Sequence, residues 1–321
     1  MSLRYNWRGF IKKNLMLLLF ILTVIVMSIT TPKFRRFSNL VGLFNQICID
    51  GVVAMGMTIA IINGEFDMSV GGIVSLSSLV SAWVLKFMPG GNPFFSITFS
   101  LLVGIVFGLI NGLLVVKGKI NTFIVTLGTM VALYGIAATF CEILGVPSSI
   151  TYNNDFMYRL GNGKFLDIPY FVFLFLLLVI VTEFILRRTK FGRTVYAVGG
   201  NKEVSRTAGL NVERNKLWVF VICGFVSGLA GVMMSAKMMT GSPEYATDMS
   251  LTTISAVVLG GTSMAGGSGS AVRTLLGILI LSLISNIFNL LNISVYVQSL
   301  IKGIVIIATV TANNYLRIAK A

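Results

Sequence analysis

What most limits the folds open to this chain is a succession of apolar runs, each about as long as a bilayer is thick. A helix crossing the hydrocarbon core needs about 20 largely apolar residues, with a range of roughly 17–25. Such runs lie at 14–30, 42–63, 70–88, 94–116, 122–145, 168–187, 215–237, 250–263, 273–291 and 295–312. They predict an all-α polytopic membrane protein of about ten transmembrane helices. The eighth run is short for a crossing and predicts a broken helix. Composition removes the soluble alternative: only 11% of the 321 residues are charged and 55% are apolar. Soluble domains carry about 25% charged residues, so this chain lacks the charges for a polar skin and must use lipid as its main solvent.

The few charges are unevenly signed, with a net +14. In a soluble protein that balance would suggest nucleic acid. Here it reads as topology, because Lys and Arg collect in cytoplasmic loops, and no nucleic-acid partner is expected. With the N-terminus inside, the inner side carries Arg4, Arg8, Lys12, Lys13, Lys117, Lys119, Arg273, Arg317, Lys320 and the eight basic residues of 187–216. The other side holds Lys33, Arg35, Arg36, Lys86, Arg159, Lys164, Lys237 and Lys302. The bias predicts a multi-pass protein with both termini cytoplasmic, although the Lys33–Arg36 cluster runs against it. The first apolar run could be a signal peptide, but no small-residue cleavage site follows, so it is read as a span.

Chemistry of the chain's own is not expected. There is no His, and Cys48, Cys141 and Cys223 stand singly inside apolar runs, so neither a metal cluster nor a disulfide framework can be drawn. No G-x-x-x-x-G-K-[ST] loop occurs, and the Gly-rich segment 260–269 lacks the Lys that reaches a nucleotide's phosphates. Without a nucleophile and base in one motif, an enzyme has no support.

Polar residues inside or beside the apolar runs are the candidates for a solute path, since such residues are expensive in lipid. They are Asp67, Ser69, Asn111, Asn121, Thr122, Thr126, Asn286 and Gln298. The competing reading for each is a helix cap or an inter-helix hydrogen bond, worth about 0.6 kcal/mol on average. Asp50 and Glu183 also fall in or near spans and receive no role. Two segments echo each other: Asp67-Met68-Ser69, followed later by Asn111, and Asp248-Met249-Ser250, followed later by Asn286. The echo suggests halves 42–145 and 215–312 within a single permease domain 1–321. The third and eighth runs are five crossings apart and so opposite in orientation, an inverted repeat of the kind that places a site near the midplane. On that reading Asn111 and Asn286 face one central cavity. Gly104, Gly108 and Gly112 form small-xxx-small pairs that predict close helix packing.

The longest polar segment between spans is 187–216. Gly199-Gly200-Asn201 opens a stretch able to form a two-turn helix, with Asn201 as N-cap and Gly209 as its stop. Val204 and Ala208 fall on one face. The segment reads either as a docking element for a cytoplasmic partner or as a solvated basic loop.

The run FGRTVYAVGGN from Phe191 to Asn201, closed by AGLNV from Ala208 to Val212, resembles the cytoplasmic loop of ribose-type ABC transporter permeases. AMGMT from Ala54 to Thr58, DMSVG from Asp67 to Gly71, TFIVTLG from Thr122 to Gly128 and AVVLGGTSMAGG from Ala256 to Gly267 fit the same family in the same order. The resemblance implies a vitamin-B12-importer-like (type II) ABC importer permease in a bacterial plasma (inner) membrane. It implies three partners: a cytoplasmic ABC ATPase carrying ATP and Mg, an extracytoplasmic sugar-binding protein, and a second permease copy or a paralogue. The family's ATPase-coupling segment then maps onto Gly192, Arg193, Tyr196, Gly199, Gly200, Asn201, Glu203, Arg206, Gly209 and Asn211. This chain departs from the family pattern at Glu65, where an apolar residue is usual. It also has Ser250-Leu251-Thr252 where a Glu-Leu-Asp triplet is common. The resemblance therefore implies a monosaccharide and leaves the sugar open. The alternative is a secondary transporter or facilitator with a coupling ion beside Asp67, Asp50 or Glu183; such a carrier has no need of the 187–216 loop.

Overall fold

A computed structural model of the chain describes residues 7–146, 148–294, 296–298, 300–301, 303–304 and 311. The chain opens with α1 (Trp7–Thr30), breaks at the Pro32 turn and continues as α2 (Phe37–Ile62), α3 (Val70–Phe87), α4 (Pro93–Val116) and α5 (Thr122–Ile143). Local chemistry fixes several starts. Asn92 accepts from Phe94 N at 2.8 Å with Pro93 at the first helical position, where a missing N–H costs nothing. Asn121 caps α5 in the same way, accepting from Phe123 N at 2.9 Å.

A short cap at one end of the bundle follows: β1 (Ile150–Thr151), α6 (Asp155–Asn162), β2 (Lys164–Phe165) and β3 (Ile168–Pro169). Then come α7 (Tyr170–Arg188), α8 (Lys190–Gly200), α9 (Lys202–Thr207) and α10 (Val212–Met238). The described chain ends with β4 (Thr240–Gly241), α11 (Met249–Leu259) and α12 (Ala271–Leu290). β2 pairs with β3 as a hairpin, and β1 pairs antiparallel with β4, tying the cap to the far end of α10.

Among the described residues seven helices are long and apolar enough to cross a membrane: α2, α3, α4, α5, α7, α10 and α12. The expected break in the eighth run is real. α11 has 11 residues, roughly 16 Å of helix against a hydrocarbon core of about 30 Å, and it gives way to a glycine turn at Gly260. The expected tenth span, 295–312, falls mostly outside the described residues.

α2 and α3 are apolar and buried nearly all round, so they form the centre with α10, while α4, α5 and α7 leave their outer faces bare. Lipid offers no hydrophobic drive between helices, so close approach and hydrogen bonds must hold them. α4 and α10 supply the first: a Cβ at Gly104 would fall on the Gly224 carbonyl, and one at Gly224 on the Gly104 carbonyl. α3 and α4 supply the second through a serine ladder. Ser81 and Ser96 hydroxyls lie 2.8 Å apart, and Ser77 and Ser100 each donate to the other's carbonyl at 3.1 and 3.0 Å.

The stretch between β4 and α11 is irregular, and its buried backbone needs partners within the protein. Ser78 Oγ accepts from Ser242 N at 3.4 Å, and Tyr134 OH donates to Ala246 O at 3.0 Å. The two echoing sequence segments touch here. Ser250 Oγ donates to Met68 O at 2.7 Å and accepts from Gly71 N at 3.3 Å.

Candidate functional site

The segment 187–216 is more ordered than its polarity suggests. Thr189 accepts from Gly192 N at 3.1 Å and starts α8, a helix that the polarity of the segment conceals. α8 folds back on α7 at Gly192, where a side chain would strike the Ile185 and Leu186 carbonyls. Its far end seats at Gly199 against the Ile62 carbonyl, which also accepts from Gly267 N at 2.8 Å. Three chain segments therefore meet backbone to backbone. The Gly-rich turn after α11 is part of this seam, which accounts for its composition without any phosphate. Tyr196 OH donates to Gly269 O at 2.8 Å and closes the contact.

α9 projects from this base. Asn201 accepts from Glu203 N and Val204 N, both at 3.0 Å. Gly209, at φ +81°, ends the helix, with Leu210 N reaching Ser205 O at 3.0 Å. Both features were legible in the sequence. Asn211 then caps α10 by accepting from Arg214 N at 2.8 Å. Arg193, Gly200, Glu203 and Arg206 face solvent, as do Val204 and Ala208, so the outer face of α9 packs on nothing within the described chain. Arg206 is paired with Glu213 across the turn.

Beneath α9 lies a cleft of about 1260 Å³, lined in part by Glu65, Asn121, Thr122, Lys202, Arg206 and Lys216. Its organising group is Glu65, 3% exposed, in the α2–α3 connection. One carboxylate oxygen accepts from Lys202 Nζ at 2.9 Å and lies 2.7 Å from Lys216 Nζ. The other accepts from the Thr122 hydroxyl. Burial pushes the carboxyl up, but the hydrogen bonds from Lys216 and Thr122, with the charges of Lys216 and Lys202, outweigh it and hold Glu65 below the ordinary carboxylate range.

The remaining candidate polar residues are dispersed. Asp67 accepts from Ser69 Oγ at 2.6 Å and Ser69 N at 2.9 Å; Ser69 Oγ accepts from Asn111 Nδ2 at 2.8 Å; Asn111 Oδ1 accepts from Thr129 at 2.6 Å. This chain of bonds is buried among α3, α4 and α5. Asn286 instead exchanges amide hydrogen bonds with Asn39 of α2, at 2.8 and 3.2 Å. The expectation that Asn111 and Asn286 face one cavity is therefore corrected: each is sealed in a different helix seam, because a polar group in hydrocarbon takes the nearest partner. Thr126 is buried and donates to Thr122 O at 2.9 Å, and Gln298 donates to Asn289 Oδ1 at 2.9 Å. Glu183, without an assigned role in the sequence, accepts from Ala271 N at 2.8 Å at the start of α12 and pairs with Arg187. Sequence reading missed Asn39, Thr129 and the Glu65 partners; Glu65's odd polarity beside an apolar run was the one available signal.

The profile of the family described as "Branched-chain amino acid transport system / permease component" matches residues 39–310. The ribose import permease protein RbsC of Haemophilus influenzae is 35% identical over 297 residues, 92% of this chain and 91% of that one. RbsC of Bacillus subtilis is 37% identical over 292 residues, covering 91% and 89%. The L-arabinose transport system permease protein AraH of Escherichia coli is 34% identical over 313 residues, covering 95% and 91%. No solved structure matches. The match runs over nearly the whole length, and the described residues hold seven membrane-length helices: this chain belongs to the family of multi-pass ABC importer permease components, which are not enzymes.

Proposed function

We propose that this chain is the membrane subunit of a binding-protein-dependent importer for a monosaccharide of the ribose or arabinose class. It would move the sugar inward using ATP hydrolysed, with Mg, by a separate cytoplasmic ATPase. The observation carrying this reading is α9: a capped helix seated on a backbone seam, with Val204 and Ala208 turned outward and exposed beside the Arg206–Glu213 pair. A capped element with an exposed outer face on a basic surface suits a groove in another protein. The α8–α9 end is then cytoplasmic, as are both termini, and the outer cap around α6 faces the sugar-binding protein. The architecture in this reading is the type II, ten-helix kind, with α3 and α11 as related members of an inverted repeat meeting at Ser250 and Met68.

The solute path in this reading runs along the bare face of α5 against a second permease copy or paralogue. Gly128, Ala132, Gly135 and Thr139 share that face and are exposed, and Asn121 and Thr122 stand where it enters the cytoplasmic cleft. A path of small neutral groups binds a sugar weakly enough to release it. Asp67, Ser69, Asn111, Asn286 and Gln298 hold helices together instead.

The test is uptake by cells that lack their own ribose and arabinose importers and express this chain with its ATPase and binding protein. ATP-dependent uptake of labelled ribose or L-arabinose is expected, and is lost when this chain is omitted. Uptake of a branched-chain amino acid in place of either sugar would overturn the reading.

A further inference from the structure

We propose that Glu65 is a positioning residue that carries movement of α9 to α5, so that docking at the cytoplasmic surface reaches the helix beside the solute path. The inference rests on the permease reading above. Three observations support it. Glu65 is anchored in a tight, non-helical connection, where Gly64 has φ +77° and Glu65 N is bonded to Ala60 O at 2.9 Å. One of its oxygens holds Lys202, the first residue of α9, at 2.9 Å. The other holds the hydroxyl of Thr122, the first residue of α5.

The two ends of this bridge differ in character. Lys202 is 46% exposed at its side chain, whereas the carboxylate is 3% exposed. A displacement of α9 therefore drags a solvated ammonium attached to a buried anion, and pulling it away costs that anion a charge-assisted hydrogen bond. Thr122 sits in the first turn of α5, whose outer face is bare and whose inner face at this end packs through Val125 on Val115 and Phe220. Lys216 also pairs with Glu65, at 2.7 Å, but belongs to α10 at the centre of the bundle. It neutralises the carboxylate without lying between α9 and α5. This asymmetry makes the idea testable, because a relay and a merely structural ion cluster rank the two lysines differently.

The experiment uses the permease assembled with its ATPase and binding protein in lipid. In Lys202→Met, sugar-stimulated over basal ATP turnover should fall about fivefold or more, the low end of usual coupling between sites. Lys202→Arg should restore it, and Lys216→Met should lower it less. A second readout needs no sugar. Nitroxides on Thr207→Cys and Ile124→Cys, exposed positions on α9 and α5, report the distance between the two helices, and the native cysteines Cys48, Cys141 and Cys223 are buried. With Lys202 present, that distance should stay the same on adding ATP, because α5 follows α9; in Lys202→Met it should change. Equal effects of Lys202→Met and Lys216→Met, or an α9–α5 distance indifferent to Lys202→Met, would overturn the relay. Failure of the unaltered complex to respond to sugar would count against the substrate reading alone, since the distance measurement stands apart from it.

Discussion

Glu65 and Lys216 lie 2.7 Å apart, joining the α2–α3 connection to the first turns of α10. With Lys202 of α9 and Thr122 of α5 also on the carboxylate, Glu65 is held ionised below the ordinary carboxylate range despite its burial. A depressed pKa means that the unfolded chain binds the proton more readily, so this stabilisation is complete above the ordinary carboxylate range and drains away as pH falls through the folded value. The melting temperature of the unaltered permease in detergent should therefore exceed that of Glu65→Gln at neutral pH. The gap should close as pH falls below the usual carboxylate range. A gap independent of pH would contradict the account.

Gly199 and Gly200 are neighbours with opposite demands. A methyl at Gly199 would fall on the Ile62 carbonyl, while one at Gly200 meets nothing within 4 Å. Gly199→Ala should cost about 1–3 kcal/mol through overpacking and loosen the seat of α8 and α9. Gly200→Ala should stay within about 0.5 kcal/mol, as for a surface change. Denaturation of the two purified variants compares them directly; equal stability would contradict the backbone seam.

The sequence exposed what is local and hid what is distant. The Asn201 cap and the Gly209 stop of α9 depend on neighbours within a few residues, so spacing sufficed to read them. The short eighth run likewise announced that α11 is shorter than a bilayer crossing. The pairing of Asn286 with Asn39, or of Asn111 with Ser69 and Thr129, joins helices far apart in the chain, and polarity alone cannot distinguish a sealed seam from a watered cavity. α8 was missed because its apolar face is spent on α7 and the glycine turn, leaving a short amphipathic stretch inside a basic segment. The partners of Glu65 come from three separate elements, and no periodicity reports them.

Because Asn111 is sealed, replacing it by Leu should act on stability more than on transport. The change strands the hydroxyl of Thr129 and takes one of two partners from Ser69 Oγ, which keeps Asp67; a buried polar group left unpaired costs about 1–3 kcal/mol. Asn111→Leu should lower the melting temperature markedly while the folded fraction transports at the unaltered rate. Loss of transport at undiminished stability would instead place Asn111 on the solute path.

Asn201 and Arg206 address α9 itself. Asn201→Ala removes a cap worth about 1 kcal/mol and should fray α9 while insertion proceeds. Arg206→Glu sets a second carboxylate against Glu213 and reverses the charge shown to the partner. Both should weaken co-purification of the ATPase, the charge reversal more strongly. Undiminished ATPase binding by both variants would contradict docking through α9.

On the proposed function, this chain is a gate driven from outside itself, through α9, by another subunit. Reconstitution in liposomes with a defined set of components measures that most directly. Purified alone, the chain should neither hydrolyse ATP nor accumulate labelled sugar. With the ATPase, the binding protein and ATP present, sugar should accumulate against its gradient, and Arg206→Glu should abolish that accumulation. Sugar concentrated by the chain without its ATPase, under an ion gradient or otherwise, would contradict the account.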